Sequence, residues 1–330
     1  MRRRVMSTLY VPNSIALRNF DSIFTNNDFE FSDGAVDITF HNNYVAMHPI
    51  GLAFYAALGD YFRINSIKTT ATINYEIKSI PYLQRMGLFK ALGYADPIET
   101  KNHEECGRFI PLRRIRNSDE LSQLMKDIDP ILHTDQNTSR TVKHVFSELL
   151  RNVIEHSKSK TGGHVCATYN KRRKKISVGI SDAGQGILNG MRGYSTYTSH
   201  LEAILTALTP GISGTTKRIG GTEENAGAGL FFTKCIAQST RNHFLIYSGD
   251  SYFKLLTSPK GSKITFNSDP RKDRSTCKSK LPFFNGTLVG IDMYIEDTTA
   301  FNRLMESIGE SYRLSVNKMK KDYYKRIKFT

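Results

Sequence analysis

The sequence predicts an α/β protein of two modules joined by a connector, and three observations predict it. Residues 35–98 run strand-like, helix-like, strand-like, helix-like. Thr141–Ser157, TVKHVFSELLRNVIEHS, carries Val142, Val145, Phe146, Leu149, Leu150, Val153 and Ile154 at i, i+3, i+4 and i+7, which is one apolar face of a helix. Ile176–Ile187, ISVGISDAGQGI, alternates as a strand and runs into an Asp and a Gly-x-Gly turn. The chain has 330 residues, 39% hydrophobic and 23% charged, an ordinary globular composition at two-domain length.

Taken in order, residues 1–34 have little periodicity and read as an N-terminal segment, with Tyr10-Val-Pro and Asp33-Gly as turns. Ala35–Phe40, AVDITF, alternates as a strand. Pro49–Arg63 is helix-patterned, with Pro near its start. Thr69–Tyr75 is β-branched and strand-like. Ile80–Leu92 is a second short amphipathic helix, and the module's helices are expected on one side of its sheet. Residues 99–137 are polar, contain Pro111 and Pro130, and read as a connector with one short helix at Asp119–Lys126.

The second module spans 138–295. Thr138 or Ser139 suits the N-cap of the amphipathic helix. Glu148 and Asn152 stand four apart on a polar flank of that helix, beside the apolar stripe. Gly163–Tyr169 and Lys175–Ser181 alternate as strands around a basic hairpin turn, Asn170–Lys174. Met191–Glu224 is rich in Ser, Thr and Gly, with a helical insert near Leu201–Leu208. Asn225–Leu230, NAGAGL, is a Gly-rich turn opening a helix. Asn242–Tyr247, Tyr252–Leu256 and Thr287–Ile295 read as further strands. Residues 296–330 form a tail with helical spacing and a basic end.

An acid-x3-Asn on a helix, then Asp-x-Gly-x-Gly after a strand, then Gly-x-Gly-Leu before a helix: over Thr138–Ile295 the chain resembles the GHKL (Bergerat-fold) ATP-binding superfamily. That superfamily takes in gyrase, heat-shock chaperone and mismatch-repair ATPases, histidine kinases and anti-sigma serine kinases. In style this chain is most similar to the anti-sigma-type kinases. Residues 35–98 resemble a degenerate STAS domain, through MHPIGLAFYAAL and YLQRMGLF. The resemblances imply a STAS-like α/β domain followed by a Bergerat-type two-layer α/β sandwich with a mixed sheet.

They also imply ATP and Mg²⁺ as cofactors. Asp182 would accept a hydrogen bond from the adenine amino group, with Gly184 and Gly186 letting the backbone pass close to base and sugar. Asn152 would give Mg²⁺ a neutral oxygen, the triphosphate supplying anionic ligands. Gly227, Gly229 and Leu230 open a helix whose free N–H groups favour phosphate. Asn225 stands where the family pattern usually has another Gly. Gly286-Thr287 resembles the start of the family's closing strand. Glu148 would polarise an attacking water or hydroxyl. Met191–Glu224 would be a mobile lid over the nucleotide. The hydroxyl that a partner kinase modifies in STAS domains is replaced by Pro49-Ile50.

Other classes are disfavoured. Cys106, Cys166, Cys235 and Cys277 lack paired spacing, which argues against zinc and disulfide scaffolds. A dinucleotide fingerprint would need Gly at Phe232, and the Gly-Lys-Ser/Thr of a P-loop is missing. No apolar run reaches the ~20 residues of a spanning helix, and no secretory signal is visible, so a cytoplasmic location is expected. The net charge of +15 raises nucleic acid as a partner beside ATP, a protein partner and a homodimer. The favoured function is a slow ATPase switch coupling nucleotide state to partner binding. The alternatives are an anti-sigma-type serine/threonine kinase, and a non-hydrolysing nucleotide sensor that holds nucleic acid on its basic surface.

Overall fold

The alternating stretches pair into three sheets in a computed structural model that describes residues 7–27, 29, 31, 34–98, 109–132, 136–214, 227–294 and 298–327. Strands β1 (Ser7–Val11), β2 (Ser14–Ile15), β3 (Ala35–Phe40) and β4 (Ala46–Met47) lead into helix α1 (Pro49–Ile64), strand β5 (Lys68–Thr72) and helices α2 (Ile80–Arg85) and α3 (Leu88–Leu92). Strand β6 (Phe109–Ile115), helices α4 (Ser118–Leu132) and α5 (Gln136–His156), and strands β7 (Gly163–Asn170) and β8 (Lys175–Asp182) follow. Then come α6 (Gly186–Gly190), α7 (His200–Ala207), α8 (Gly229–Ser239), β9 (Phe244–Gly249), β10 (Ser251–Leu255), β11 (Ser275–Lys278), β12 (Phe284–Tyr294) and α9 (Thr298–Ile327).

The fold is mixed α/β. The small sheet, order β1-β3-β5, is parallel, and so is the β2-β4 pair. The large sheet, order β11-β10-β9-β12-β8-β7-β6, is antiparallel at every pairing, where the expected sheet was mixed. It is also covered on both faces rather than forming a two-layer sandwich. One core gathers α5, α7 and α8 over one face, with Val142, Phe146, Leu150, Ile204 and Phe231 against Val178, Ile246 and Ile291. The other core gathers α1 and the small sheet against Leu245, Tyr247 and Leu288 of the opposite face.

Helix α1 therefore lies inside the molecule, and Ile50, Leu52, Phe54, Tyr55 and Phe62 are all buried. Each such side chain contributes about 1.5–3 kcal/mol by leaving water. The helix comes close because two strand residues have no side chain. Gly179 and Gly290 are cross-strand partners, and a Cβ on Gly179 would lie 2.2 Å from the Pro49 carbonyl oxygen. Pro49 and Ile50, the pair standing where a STAS hydroxyl is expected, are thus sealed under the large sheet.

Buried charge clamps α1 at both ends. At the start, His48 Nδ1 accepts the Ile50 N–H (3.0 Å), which leaves Nε2 to donate to Asp292 (3.0 Å). Asp292 also receives Lys175 (3.0 Å) and Ser177 (2.5 Å). Near the end, Asp60 is fully buried and accepts from His164 (2.8 Å), Arg114 (2.6 Å) and Arg63. Burial alone would raise the pKa of both acids. The His164 bond and Arg114 win at Asp60 and hold it down to about 2, and His48 with Lys175 holds Asp292 low as well.

Several boundaries differ from the sequence reading. Strand β1 lies in the expected N-terminal segment yet pairs with β3. The expected connector contributes edge strand β6 and the longer helix α4. The helix expected over Ile80–Leu92 breaks at Gly87, whose φ is +77°. Helix α5 begins at Gln136, so Thr138 and Ser139 fall in its first turn rather than at the cap. The small sheet does keep its helices on one side, and its open face is polar, where Asp37 accepts from Thr39, Thr70 and Thr72. Arg2–Arg4, His103, Cys106, Asn225 and residues 215–224 of the expected lid lie outside the described residues.

Candidate functional site

Three separated stretches of sequence meet at one cavity between α5, the large sheet and α8. Its volume is about 120 Å³, and it opens to solvent at its mouth. Ile180, Ile246 and Val289 of the sheet, with Leu149 and Val153 of α5, give it apolar walls. Helix α5 buries Val142, Val145, Phe146 and Leu150, and this fixes its rotation. Asn152 and His156 then face the cavity from one flank.

Asp182 ends β8 between Gly163 of β7 and Thr287 of β12. It is buried and lines the cavity. Its Oδ1 accepts the Gly184 N–H at 2.8 Å. Among the described residues no cation pairs with it. Burial pushes its pKa up to about 7, against the opposing pull of the Gly184 and Thr287 N–H groups. The turn after it is tightly held: the Gln185 N–H donates to the Ser157 carbonyl (2.7 Å) and Gln185 Nε2 to the His156 carbonyl (2.7 Å). Gly184 fits because a Cβ there would lie 2.2 Å from Ser157 O. Gly186 has φ +72°, and the following Ile187 N–H donates to Ser248 Oγ (3.0 Å).

The far wall comes from Ile212, Ser213 and Gly214, and from Gly227, Gly229 and Leu230. The Gly211 N–H donates to the Gly227 carbonyl at 3.0 Å, tying the two segments together. Helix α8 opens at Gly229, where the first N–H groups of a helix have no internal partner. Glu148 does not line the cavity. It stands behind that helix start, where a Cβ on Gly229 would lie 2.5 Å from Glu148 Oε2. One turn earlier, His144 packs against Phe232 with ring centroids 6.1 Å apart. Burial lowers the His144 pKa, and the Glu148 charge opposes that.

Of the residues singled out from the sequence, Asn152, Asp182, Gly186, Gly227, Gly229, Leu230 and Thr287 line the cavity. Gly184 supports Asp182 from outside the lining, Glu148 adjoins Gly229, and Asn225 lies outside the described residues. The sequence reading missed Ser157 and Gly190 as lining residues, whereas Met191 and Ile212–Gly214 fall within the expected lid. Ser157 lies just past the end of α5, off the helical period of Asn152, and no periodic signal marks Gly190 either. The expected lid is anchored in its described part, since Ala203, Ile204, Leu205 and Leu208 are buried. Among the described residues no group of three or more His, Cys, Asp or Glu is placed to hold a metal by itself. A cation here would need ligands from the bound molecule, with Asn152 as a neutral oxygen donor.

No protein-family model matches the chain, and no curated protein matches it in sequence. No described helix is long and apolar enough to cross a membrane.

Proposed function

We propose that the cavity binds ATP with Mg²⁺ and that the protein is an ATP-dependent regulatory switch with slow hydrolysis. One observation carries the reading. Asn152 on α5, Asp182 at the end of β8, and Gly227 before α8 with Gly229 and Leu230 at its start are far apart in sequence and line one cavity. In this reading the apolar walls take the base, and Asp182 accepts from its exocyclic amino group. A guanine carbonyl at the same place would face the carboxylate and be repelled. The opening turn of α8 offers N–H groups and a positive dipole end to the phosphates. Asn152 and the phosphates hold Mg²⁺, which neutralises phosphate charge when bound. Glu148, beside Gly229, orients and polarises the attacking water.

The first module takes part by contact. Pro49 and Ile50 have no nucleophilic oxygen and are buried, so phosphorylation at that place has no acceptor. Isothermal titration with ATP–Mg²⁺ and GTP–Mg²⁺, followed by a phosphate-release assay, tests the reading. ATP is expected to bind at least about tenfold tighter than GTP, about 1.4 kcal/mol. Equal affinities, or no heat with ATP, would sink it.

A further inference from the structure

We infer that a strip of cations beside the mouth of the cavity docks the phosphodiester backbone of a nucleic acid. Three segments build the strip. Helix α1 supplies Arg63, β6 and the residue after it supply Arg114 and Arg116, and the loop between α5 and β7 supplies Lys158 and Lys160. The segments are one surface. Arg63 and Arg114 donate to the same oxygen of Asp60. Gly162, in the lysine loop, sits so close to β6 that a Cβ on it would lie 2.9 Å from Arg116 Cα. The strip is at the cavity end of the sheet, since Ile115 pairs with Gly163 and Gly163 with Asp182. Ser157, at the root of the lysine loop, lines the cavity.

The charge is unbalanced by geometry. Among the described residues, the ion pairs of these five cations run to two carboxylates, Asp60 and Glu120, the latter 3.0 Å from Arg116. The next acid back along the chain, Glu155, lies 3.8 Å from His156 and 3.9 Å from Arg151. One carboxylate can neutralise one guanidinium, yet Asp60 holds two, with His164 on its other oxygen. Those arginines remain 42% and 28% exposed at their side chains, with further N–H donors available to solvent. A buried acid thus fixes two guanidinium forks in place, and ordered forks cost less entropy when they bind. Their planar geometry matches phosphate oxygens, and Lys158 and Lys160 add exposed point charges.

A protein partner would need an apolar centre, and among the described residues only Ile64 of the well-exposed large apolar side chains belongs to this strip. The other basic stretches differ. Arg271 is paired with Glu202 (2.7 Å) and Lys278 with Asp21 (2.7 Å). Lys171–Lys174 form an exposed hairpin tip at the opposite end of β7 and β8, with no buried acid holding them.

The test is fluorescence anisotropy on the full chain, without nucleotide, using a labelled 20-nucleotide RNA and the matching DNA across a salt series. Lys158→Glu with Lys160→Glu should weaken binding at least tenfold and flatten the salt slope by roughly 1.4, the share of two single-strand phosphate contacts. Lys171→Glu with Arg172→Glu should change affinity less than threefold. Both pairs are exposed, and circular dichroism checks each fold. Equal binding of RNA and DNA supports backbone docking, and so does a preference for either. No wild-type binding at 100 mM salt would overturn the inference. So would an equal loss in the hairpin variant, or competition by polyglutamate as effective as by RNA. ATP titration of the strip variant separates the two proposals, because neither lysine lines the cavity and its ATP affinity should match wild type.

Discussion

The two faces of the large sheet bury carboxylates in opposite ways. On the α1 face, Asp60 and Asp292 are surrounded by histidines and cations, and both stay ionised well below the usual range. On the cavity face, the partners of Asp182 among the described residues are backbone N–H groups, and it sits near 7. A buried charge that is fully paired holds elements together. A buried charge left unpaired costs stability and keeps its capacity for an outside donor. The difference teaches that burial alone does not mark a functional acid; burial without a partner, facing a cavity, does. Changes on the cavity face should then alter activity and spare the fold, and changes on the α1 face should do the reverse.

The largest expected effect is on the cavity side. Glu148→Ala should cut phosphate release by about 10²–10⁴-fold, the usual worth of a general base, with ATP affinity nearly unchanged because Glu148 stands outside the lining. Steady-state phosphate release and calorimetry on the same sample check it. Full turnover in the variant would remove Glu148 from the chemistry.

The next is on the α1 side. Asp60→Ala leaves Arg114, Arg63 and the buried His164 without their acid. Breaking a buried pair from one side costs about 3–5 kcal/mol, and urea unfolding should register a loss of that order. The sign with pH follows from the lowered pKa. The Asp60 contribution is complete above its unfolded value, near 3.8, and is lost as pH falls through about 2. A variant as stable as wild type at neutral pH would mean that the clamp does not hold α1.

The same contrast separates what was legible in the sequence from what was not. Helix α5 was legible because its apolar stripe and its Glu148–Asn152 flank obey one period. Asp182-x-Gly-x-Gly was legible because a buried strand ending in an acid is locally inconsistent with plain packing. The burial of α1 was not. Gly179 and Gly290 look like weak strand residues until register makes them partners under Pro49. Strand β6 was hidden by Pro111 and its arginines, which an edge strand tolerates, and its pairing slips between Ile110 and Arg113 around that proline. Strand β1 was hidden because its partner lies more than twenty residues on, and a short alternation carries little signal alone. Motifs are local, whereas the clamps join residues up to 244 apart in sequence.

The smallest effect is the most discriminating, because it sets one substitution against both faces. Asp182→Asn keeps the shape of the side chain and removes its charge. ATP affinity should fall by about tenfold, from loss of a charged acceptor, while the fold should gain stability. Here the folded pKa, about 7, lies above the unfolded 3.8, so the wild type loses stability as pH rises from about 4 to 7, opposite in sense to Asp60. The melting temperature of Asp182→Asn should therefore exceed that of wild type at pH 8, with the gap closing toward pH 4. Binding runs the other way, since the ionised form is the better acceptor. Relative to the Asn variant, which cancels the pH response of ATP itself, wild-type affinity should drop about fivefold from pH 8 to pH 6, since the ionised fraction of a group near 7 falls about tenfold while the neutral form keeps about a tenth of the affinity. A pH-independent ratio of the two affinities would show that Asp182 does not meet the ligand, even if ATP binds.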